Sequence, residues 1–358
     1  MKGELAMKII TVIGARPQFI KAAAVSKVLR EKHEEILIHT GQHYDENMSK
    51  IFFDELGIPK PDYNLGVGSG GHGKQTGEML IALEEVYLKE KPDLVLVYGD
   101  TNSTLAGALC ASKLLIPVAH VEAGLRSFNM AMPEEQNRIL TDHISNFLFA
   151  PTATAVRNLQ NESLKNIYNV GDVMYDATLN FQELSKKKSN IVERLGYKDK
   201  PYILATIHRA ENTNHIERLK NIIEALNEST YEIIIPLHPR TTKYISEYNL
   251  HFNSNVKVIE PVGYLDMINL EMHAEKIVTD SGGVQKEAFF MAKPCITMRD
   301  ETEWVETVEN GWNIIVGTDK DKILEAISNF TPQNEREDIF GNGKAANEIL
   351  KILDNKLC

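Results

Sequence analysis

The segment Asp280-Ser281-Gly282-Gly283-Val284-Gln285-Lys286-Glu287 offers free backbone N–H groups where a helix should begin. The apolar run Lys276–Thr279 before it reads as a buried strand, and Val284–Met291 after it reads as a helix. The positive end of that helix is a seat for a phosphate, and the glycines let an anion approach the main chain. Ser281, Gly282 and Gly283 are the candidate phosphate contacts. Glu287 follows Gly283 by one turn on the same helix face, where an acceptor can hold ribose hydroxyls. The same residues also suit a serine N-cap on an ordinary strand–helix turn. This stretch alone leaves both readings open.

Four other segments leave predicted strand ends carrying polar or charged groups. They are Gly14-Ala15-Arg16-Pro17 with Lys21 one turn on, Tyr98-Gly99-Asp100-Thr101, His120-Val121-Glu122-Ala123-Gly124-Leu125-Arg126, and Thr206-Ile207-His208-Arg209. Pro133-Glu134-Glu135 adds an acidic pair that also suits a helix first turn with proline at N1. Any one of these is as readily a solvated loop residue or a cap. Their joint occurrence at strand ends points to a site. Carboxylates without a metal act as general acids and bases. Cations and helix N-termini stabilise a departing phosphate. His39 and His43 flank Thr-Gly-Gln, but on a strand end and a loop, so no metal site is read there.

Two nicotinamide signals fail on context. Gly68-Ser-Gly70-Gly-His-Gly73 has the G-x-G-x-x-G spacing, but no Val/Ile-rich strand precedes it, so it reads as a mobile glycine loop. Tyr87 and Lys91 have the spacing of a dehydrogenase pair, but they close a plain helix before Pro92, where Tyr87 packs and Lys91 is solvated.

The elements that must position these residues alternate from end to end. Strands are expected at Lys8–Ile13, Glu35–His39, Leu94–Tyr98, Val118–Val121 and Phe147–Ala150. Further strands are expected at Ile203–Ile207, Glu232–Leu237, Val256–Ile259, Lys276–Thr279 and Cys295–Met298. Helices are expected at Pro17–Lys32, Lys74–Lys91, Thr104–Leu114, Pro133–Asn146 and His215–Asn227. Solid Val/Ile/Leu runs indicate parallel strands covered on both faces, hence a doubly wound α/β fold. Polar breaks at Leu184–Asn190 and Gly196–Pro201 put a domain joint between about residues 170 and 200. Ligands in such sheets sit beyond the carboxyl ends of strands, so two facing halves would share one cleft.

Length of 358 residues and 43% apolar content accommodate two cores. A formal charge of −11 argues against non-specific nucleic-acid binding, so anion sites must be local. Cys110, Cys295 and Cys358 are far apart and odd in number, as in a reduced cytoplasmic protein without structural zinc. The first residues lack the apolar core of a signal peptide, and no run of eighteen apolar residues would span a membrane. Residues 1–6 read as an extension ahead of the first strand.

On these motifs the chain resembles the non-hydrolysing UDP-N-acetylglucosamine 2-epimerases, nearly end to end. Gly14-Ala-Arg-Pro with Lys21 is similar to the family opening, with Gln18 in place of the usual Glu. Thr40-Gly-Gln-His43, Gly99-Asp-Thr101, His120 to Arg126, Pro133-Glu-Glu135 through Asn137-Arg138, His208-Arg209 with Glu211-Asn212, and Asp280 to Gly283 with Glu287 are similar to its other motifs. The resemblance implies two Rossmann-like doubly wound parallel-sheet domains facing a cleft, the glycosyltransferase-B type of fold. It implies domains at 1–175, rejoined by a last helix at about 340–358, and at 176–339, the latter binding UDP. It implies a cytoplasmic homodimer that uses neither metal nor cofactor, and no nucleic-acid or membrane partner.

The implied reaction interconverts UDP-N-acetylglucosamine and UDP-N-acetylmannosamine. UDP leaves C1 and the C2 proton leaves, giving a 2-acetamidoglucal; UDP returns after C2 is protonated from the other face. By position Asp100, Glu122, Glu134 and His208 match the catalytic set. Asp100 and Glu122 handle protons or orient the sugar, Glu134 is the partner from the opposite face, and His208 stabilises the leaving diphosphate oxygen. Arg16, Lys21, Ser281, Gly282 and Gly283 match phosphate-binding positions, and Glu287 the ribose contact. Arg209, Arg299 and Glu303 are candidates to line the site. Some relatives bind a second substrate molecule near Gln42 and His43, but Asn47 and Met48 are displaced from that motif. Trp304-Val305 stands where many relatives carry Arg-Pro, and Ala210 where a second Arg is common; either departure bears on sugar specificity or domain closure. A glycosyltransferase of the same fold and a 2-epimerase for a 3-acetamido or uronate sugar are the alternatives. A transferase has no use for acid groups on both sugar faces.

Overall fold

A computed structural model describes residues 6–41 and 59–357, with the side chain of Arg16 outside that description. Within it the chain divides into two compact units, Met1–Asn180 with Asp338–Cys358, and Phe181–Glu337. Gln42 and His43 lie outside the described residues.

The first unit is built on strands β1 (Lys8–Ile13), β2 (Glu34–His39), β3 (Tyr63–Asn64), β4 (Leu94–Tyr98), β5 (Val118–Val121), β6 (Phe147–Ala150) and β7 (Ile167–Asn169). Its sheet runs β3-β2-β1-β4-β5-β6-β7, and every pairing is parallel. The second unit holds β8 (Ile203–Thr206), β9 (Ile233–Pro236), β10 (Val256–Ile259), β11 (Lys276–Thr279), β12 (Cys295–Thr297) and β13 (Asn313–Ile315). Its order is β10-β9-β8-β11-β12-β13, again all parallel. Both units are therefore Rossmann-like and doubly wound. The winding reverses between β1 and β4 in the first unit and between β8 and β11 in the second. Turns after those strands diverge to opposite sides, which opens a crevice at the carboxyl edge of each sheet.

The apolar runs follow from two-sided burial. In the second unit Ile203, Ala205, Ile233 and Ile235 pack into one cluster with Leu219, Ile222, Ile223 and Leu226. The intervening Leu204 and Ile234 pack on the other face with Ile277 and Ala288. With both faces apolar the strands lose the alternating pattern of a half-exposed sheet. Strands β3, β7 and β13 were not expected from the sequence; each has two or three residues, none of β3 or β7 fully buried, so no hydrophobic run marks them. The ends expected at Ile207, Leu237 and Met298 are trimmed, because the chain there already turns into the loops that follow.

The helices begin where the sequence offers caps. Thr101 accepts from the Thr104 N–H at the start of Asn102–Lys113, and Ser281 from the Val284 N–H at the start of Gly282–Phe290. The glycine loop ends early: His72–Glu90 is one helix, so Gly73 is helical, Tyr87 is buried and Lys91 is the exposed left-handed cap. Of the polar break at Leu184–Asn190, all residues to Lys188 continue the helix Val173–Lys188, since Leu, Glu and Lys are good helix formers. The last helix, Ala345–Leu357, belongs to the first unit. Asp176 accepts from the N–H groups of Ala345 and Ala346 at 3.0 and 2.8 Å, and Asp354 bonds Lys32 and His33 at 2.8 Å. No described helix is long and apolar enough to cross a membrane.

One buried group works against this packing. Glu271, on the helix Tyr264–His273, is fully buried and neither carboxyl oxygen has a hydrogen-bond partner. Burial pushes its pKa well above the ordinary carboxylate value of 4.5, and the nearby charge of Glu287 pushes the same way. A carboxyl whose folded pKa is raised favours the fold fully below its unfolded pKa, and that contribution is lost as pH rises. Glu271→Gln removes the titration. Its stability relative to the parent should therefore climb between pH 5 and 8, by about 1.4 kcal/mol for each pH unit over which only the unfolded chain ionises. Denaturant unfolding across that range checks it; parallel stability–pH curves would contradict the assignment.

Candidate active site

The strand-end residues of the first unit collect around the Gly99–Asp100 turn at the β1/β4 switch point. Gly99 has φ +65, and a Cβ there would lie 3.4 Å from Glu122 Oε2 and 3.6 Å from Lys21 Nζ. A Cβ would make only ordinary contacts there, so it is the positive φ that favours glycine. The Lys21 ammonium, from the helix Arg16–Leu29, bonds directly to the Glu122 carboxylate, and both side chains are almost fully buried. Glu122 itself has φ +75, an uncommon conformation for a residue with a side chain. It is held there because the N–H groups of Glu122 and Ala123 both donate to Phe149 O at 3.1 Å. Backbone held off its preferred region in this way is a mark of functional sites.

Asp100 is fixed from the next element. Arg138, on the helix Pro133–Ile144, bonds the Asp100 carboxylate and also donates to Glu135 Oε2 at 2.9 Å. Asn137 Nδ2 donates to Asp100 O at 3.0 Å. Burial alone would lower the Arg138 pKa; Asp100, then Glu135 and Glu122, outweigh it and raise it. Glu135 is spent on structure, accepting the N–H groups of Ser127 and Phe128 at 2.9 Å. Glu134, its neighbour, is exposed in the first turn of the same helix. Beneath the turn, His120 Nε2 meets Gly99 O at 2.7 Å and Nδ1 meets Asp142 Oδ1 at 2.7 Å. Asp142 also accepts from Arg126 Nη1 at 2.7 Å and from the Gly124 N–H at 3.1 Å. Burial opposes the Arg126 charge, but Glu162 and Asp142 raise its pKa overall.

The second unit assembles its own set at the β8/β11 switch point. Asp280 is fully buried and accepts the backbone N–H groups of His208 and Arg209 at 3.0–3.1 Å and Asn212 Nδ2 at 3.1 Å. It thereby sets the His208–Arg209 turn beside the N-terminus of Gly282–Phe290. His208 Nδ1 lies 3.4 Å from Asp280 Oδ1, and the side chain is 48% exposed. Partial burial lowers the His208 pKa; Asp280 opposes this, while Arg209 and His238 reinforce it.

An anion already rests near that helix start. A Cβ on Gly282 would fall 2.1 Å from Glu303 Oε1, so the Glu303 carboxylate reaches a place that only glycine leaves open. Arg299 Nη1 donates to Glu303 Oε2 at 2.7 Å, and Arg209 Nη2 is 3.8 Å from Oε1. Burial pulls the Glu303 pKa up, but Arg299, its own N–H and Arg209 hold it below the ordinary range. Glu287, one turn along, accepts from the Tyr264 hydroxyl at 2.7 Å. Next to it Lys286 lies 4.1 Å over the Trp304 ring.

Of the residues singled out in the sequence, Lys21, Asp100 and Glu122 meet in the first unit, with Glu134 exposed close by in sequence to the Asp100 partners. His208, Arg209, Ser281, Gly282, Glu287, Arg299 and Glu303 line one edge of the second. Arg16 opens the first helix, and Gln42 and His43 are outside the described residues. Sequence reasoning missed Asp142 and Tyr264. The one signal for Asp142 was an acidic residue on the helix face that otherwise buries Thr141; Tyr264 carried none. His39, weighed for a metal, is buried, stacked on Phe19 at 5.0 Å and accepts from the Gly41 N–H at 2.8 Å; burial brings its pKa down to about 4.

Comparison with known proteins agrees with the resemblance drawn from the motifs. The family model for UDP-N-acetylglucosamine 2-epimerase matches residues 27–354. A UDP-N-acetylglucosamine 2-epimerase homolog of Methanococcus maripaludis is 62% identical over 98% of this chain and 100% of its own. The UDP-2,3-diacetamido-2,3-dideoxy-D-glucuronate 2-epimerase of Pseudomonas aeruginosa is 54% identical over 97% of this chain and 99% of its own. The crystal structure of Methanocaldococcus jannaschii UDP-GlcNAc 2-epimerase in complex with UDP-GlcNAc and UDP matches with a TM-score of 0.86 and 50% identity, over 98% of this chain and 100% of that one. The chain is thus an isomerase and belongs to the UDP-N-acetylglucosamine 2-epimerase family.

Proposed function

We propose that the protein interconverts UDP-N-acetylglucosamine and UDP-N-acetylmannosamine without net hydrolysis, by eliminating UDP and adding it back. The observation that carries this reading is the pair of carboxylates, Glu122 on Lys21 and Asp100 on Arg138, packed at one glycine turn. No carbonyl lies beside C2, so its proton is not acidic in the ground state. Breaking the C1–O bond first sends that electron pair out with UDP and leaves an electron-poor sugar. A carboxylate then takes the C2 proton, and the C1–C2 double bond of the glycal forms. In reverse, a proton reaches C2 from the opposite face and a UDP oxygen re-bonds to C1. Atoms and electrons balance, and no oxidant enters.

Inversion needs proton-transfer groups on two faces. We assign Glu122 and Asp100 to one set, with Glu134 as the partner from the other face. Lys21 is bonded to Glu122, so in this reading it supplies counter-charge to a carboxylate as well as facing the diphosphate. His208, Arg16 and the N-terminal N–H groups at Ser281–Gly283 take up the charge that builds on the leaving diphosphate. The incoming phosphate displaces the Glu303 carboxylate from Gly282, and Glu287 holds the ribose. The fold relative with UDP-GlcNAc and UDP bound supports this choice of ligand.

A second reading keeps the chemistry and changes the sugar to a 2,3-diacetamido uronate. It is favoured by 54% identity to the P. aeruginosa enzyme, over 97% of this chain and 99% of its own. Offering both sugar nucleotides to the purified protein and comparing kcat/KM separates the two.

In deuterium oxide, UDP-N-acetylglucosamine should acquire deuterium at C2 in both epimers, with the nucleotide sugar persisting. Proton NMR that found neither exchange nor epimer with this substrate would sink the first reading. Glu122→Gln should lower kcat by about 10²–10⁴-fold and leave the Kd for UDP within about threefold, since the proposed UDP contacts sit largely on the other unit. Comparable losses in both would move Glu122 from catalysis to binding.

The lowered pKa of His208 gives a pH signature. The free ring is mostly neutral at pH 7, and a diphosphate beside it favours the charged form. Binding UDP should therefore take up protons, with affinity rising as pH falls from 8 toward the free pKa of His208, and His208→Asn should flatten that slope. Calorimetry in buffers of different ionisation enthalpy measures the uptake; zero uptake in the parent protein would refute the role of His208.

A further inference from the structure

Gln18 is buried, 2% exposed, and its side chain bonds two loops that meet at a seam. Its Oε1 accepts the N–H groups of Gly14 and Ala15 at 2.8 and 3.0 Å. Its Nε2 donates to Tyr98 O at 2.7 Å, to Thr104 Oγ1 at 2.9 Å and to Thr101 Oγ1 at 3.1 Å. The oxygen thus holds the turn after β1, and the nitrogen holds the turn after β4 that carries Gly99 and Asp100. The two loops are pressed together: a Cβ on Gly14 would fall 2.0 Å from Ser103 Oγ. Lys21 follows Gln18 by one turn of the same helix and reaches Glu122. The seam therefore sets where the ammonium on one loop meets the carboxylates beside the other.

We propose that Gln18 is a positioning residue for the reaction: its carboxamide fixes the Lys21–Glu122 pair and Asp100 relative to one another. This rests on the epimerase reading. The argument turns on hydrogen-bond polarity. Only a side chain with an acceptor and a donor on one planar group satisfies both loops at once. A carboxylate of the same shape keeps the bonds to Gly14 and Ala15 but sets a second acceptor 2.7 Å from the Tyr98 carbonyl oxygen. It recovers the bond only by taking a proton. Gln18→Glu therefore keeps the size of the side chain and removes the donor to Tyr98 O.

Among the described residues, the charged and titratable groups near the seam include Lys21 on the same helix, Asp100 after β4, His120 beneath Gly99 and Glu122 after β5. All the bonds of Gln18 itself run to uncharged groups. In the parent protein Gln18 adds no titration. In Gln18→Glu the introduced carboxyl adds one, with its neutral form favoured by the fold.

The test is the pH profile of Gln18→Glu against the parent enzyme, with UDP-N-acetylglucosamine saturating. The ratio of kcat values should fall by about 10²-fold from pH 6 to pH 9, the scale of a misplacement of about 1 Å at a catalytic group. KM should stay within about threefold, a split that general unfolding would not produce. Gln18→Met, similar in size and without polar atoms, should lose kcat to a similar extent at every pH. A pH-independent ratio for Gln18→Glu, or parental kcat in Gln18→Met, overturns the proposal. Thermal melting needs no substrate: Gln18→Glu should lose more Tm than the parent from pH 6 to pH 9, because its folded-state pKa is raised. Equal losses overturn the proposal even if the parent enzyme shows no turnover, an outcome that would itself count against the epimerase reading and not against the seam.

Discussion

Burying an ion pair is the constraint from which the first unit's architecture follows. Lys21 and Glu122 are both withdrawn from water, and the cost of stripping each ion is several kcal/mol unless geometry and further hydrogen bonds repay it. That requirement explains features with no role in packing. Gly99 turns beside the pair with φ +65, a backbone that favours glycine. Glu122 must accept a positive φ, which the paired bonds to Phe149 O enforce. The surrounding charges are matched in turn: Asp100 by Arg138, Glu135 by Arg138 and two backbone N–H groups, Asp142 by Arg126, with His120 hydrogen-bonded to it. A bundle of this kind contributes little to stability compared with an apolar core of equal volume.

The second unit solves a different electrostatic problem with the same topology. Here the backbone is the cation. The N-terminus of Gly282–Phe290 is capped by Ser281, and Asp280 ties the His208–Arg209 turn beside it. The carboxylate of Glu303 already lies against Gly282, steadied by Arg299 and Arg209. An anion-attracting surface that is neutralised internally can exchange one anion for another without exposing bare charge.

Much of this was legible in the residues. Solid runs such as Leu94–Tyr98 and Ile233–Pro236 mark two-sided burial, and the polar residues that follow each run mark carboxyl ends of strands. Together they place Asp100, Glu122, His208 and Ser281 at sheet edges without any coordinates. The edge strands Tyr63–Asn64, Ile167–Asn169 and Asn313–Ile315 were not legible, because a strand of two or three residues is too short to carry a periodicity. Nor was the path of Val173–Lys188, where a polar lysine run looks like a linker although its helix propensity is good.

What the sequence determined by itself is the class of each element and the inventory of chemistry: glycine turns, carboxylates, cations and a helix start, at spacings that a local rule can read. The tertiary structure alone decided the pairings. Lys21 and Glu122 are 101 residues apart, Asp100 and Arg138 are 38 apart, and His208 meets the residue that orients it 72 positions later. A side chain's partner is set by the order in which strands enter the sheet. That order is fixed by packing over the whole unit, a long-range balance that no window of neighbouring residues contains.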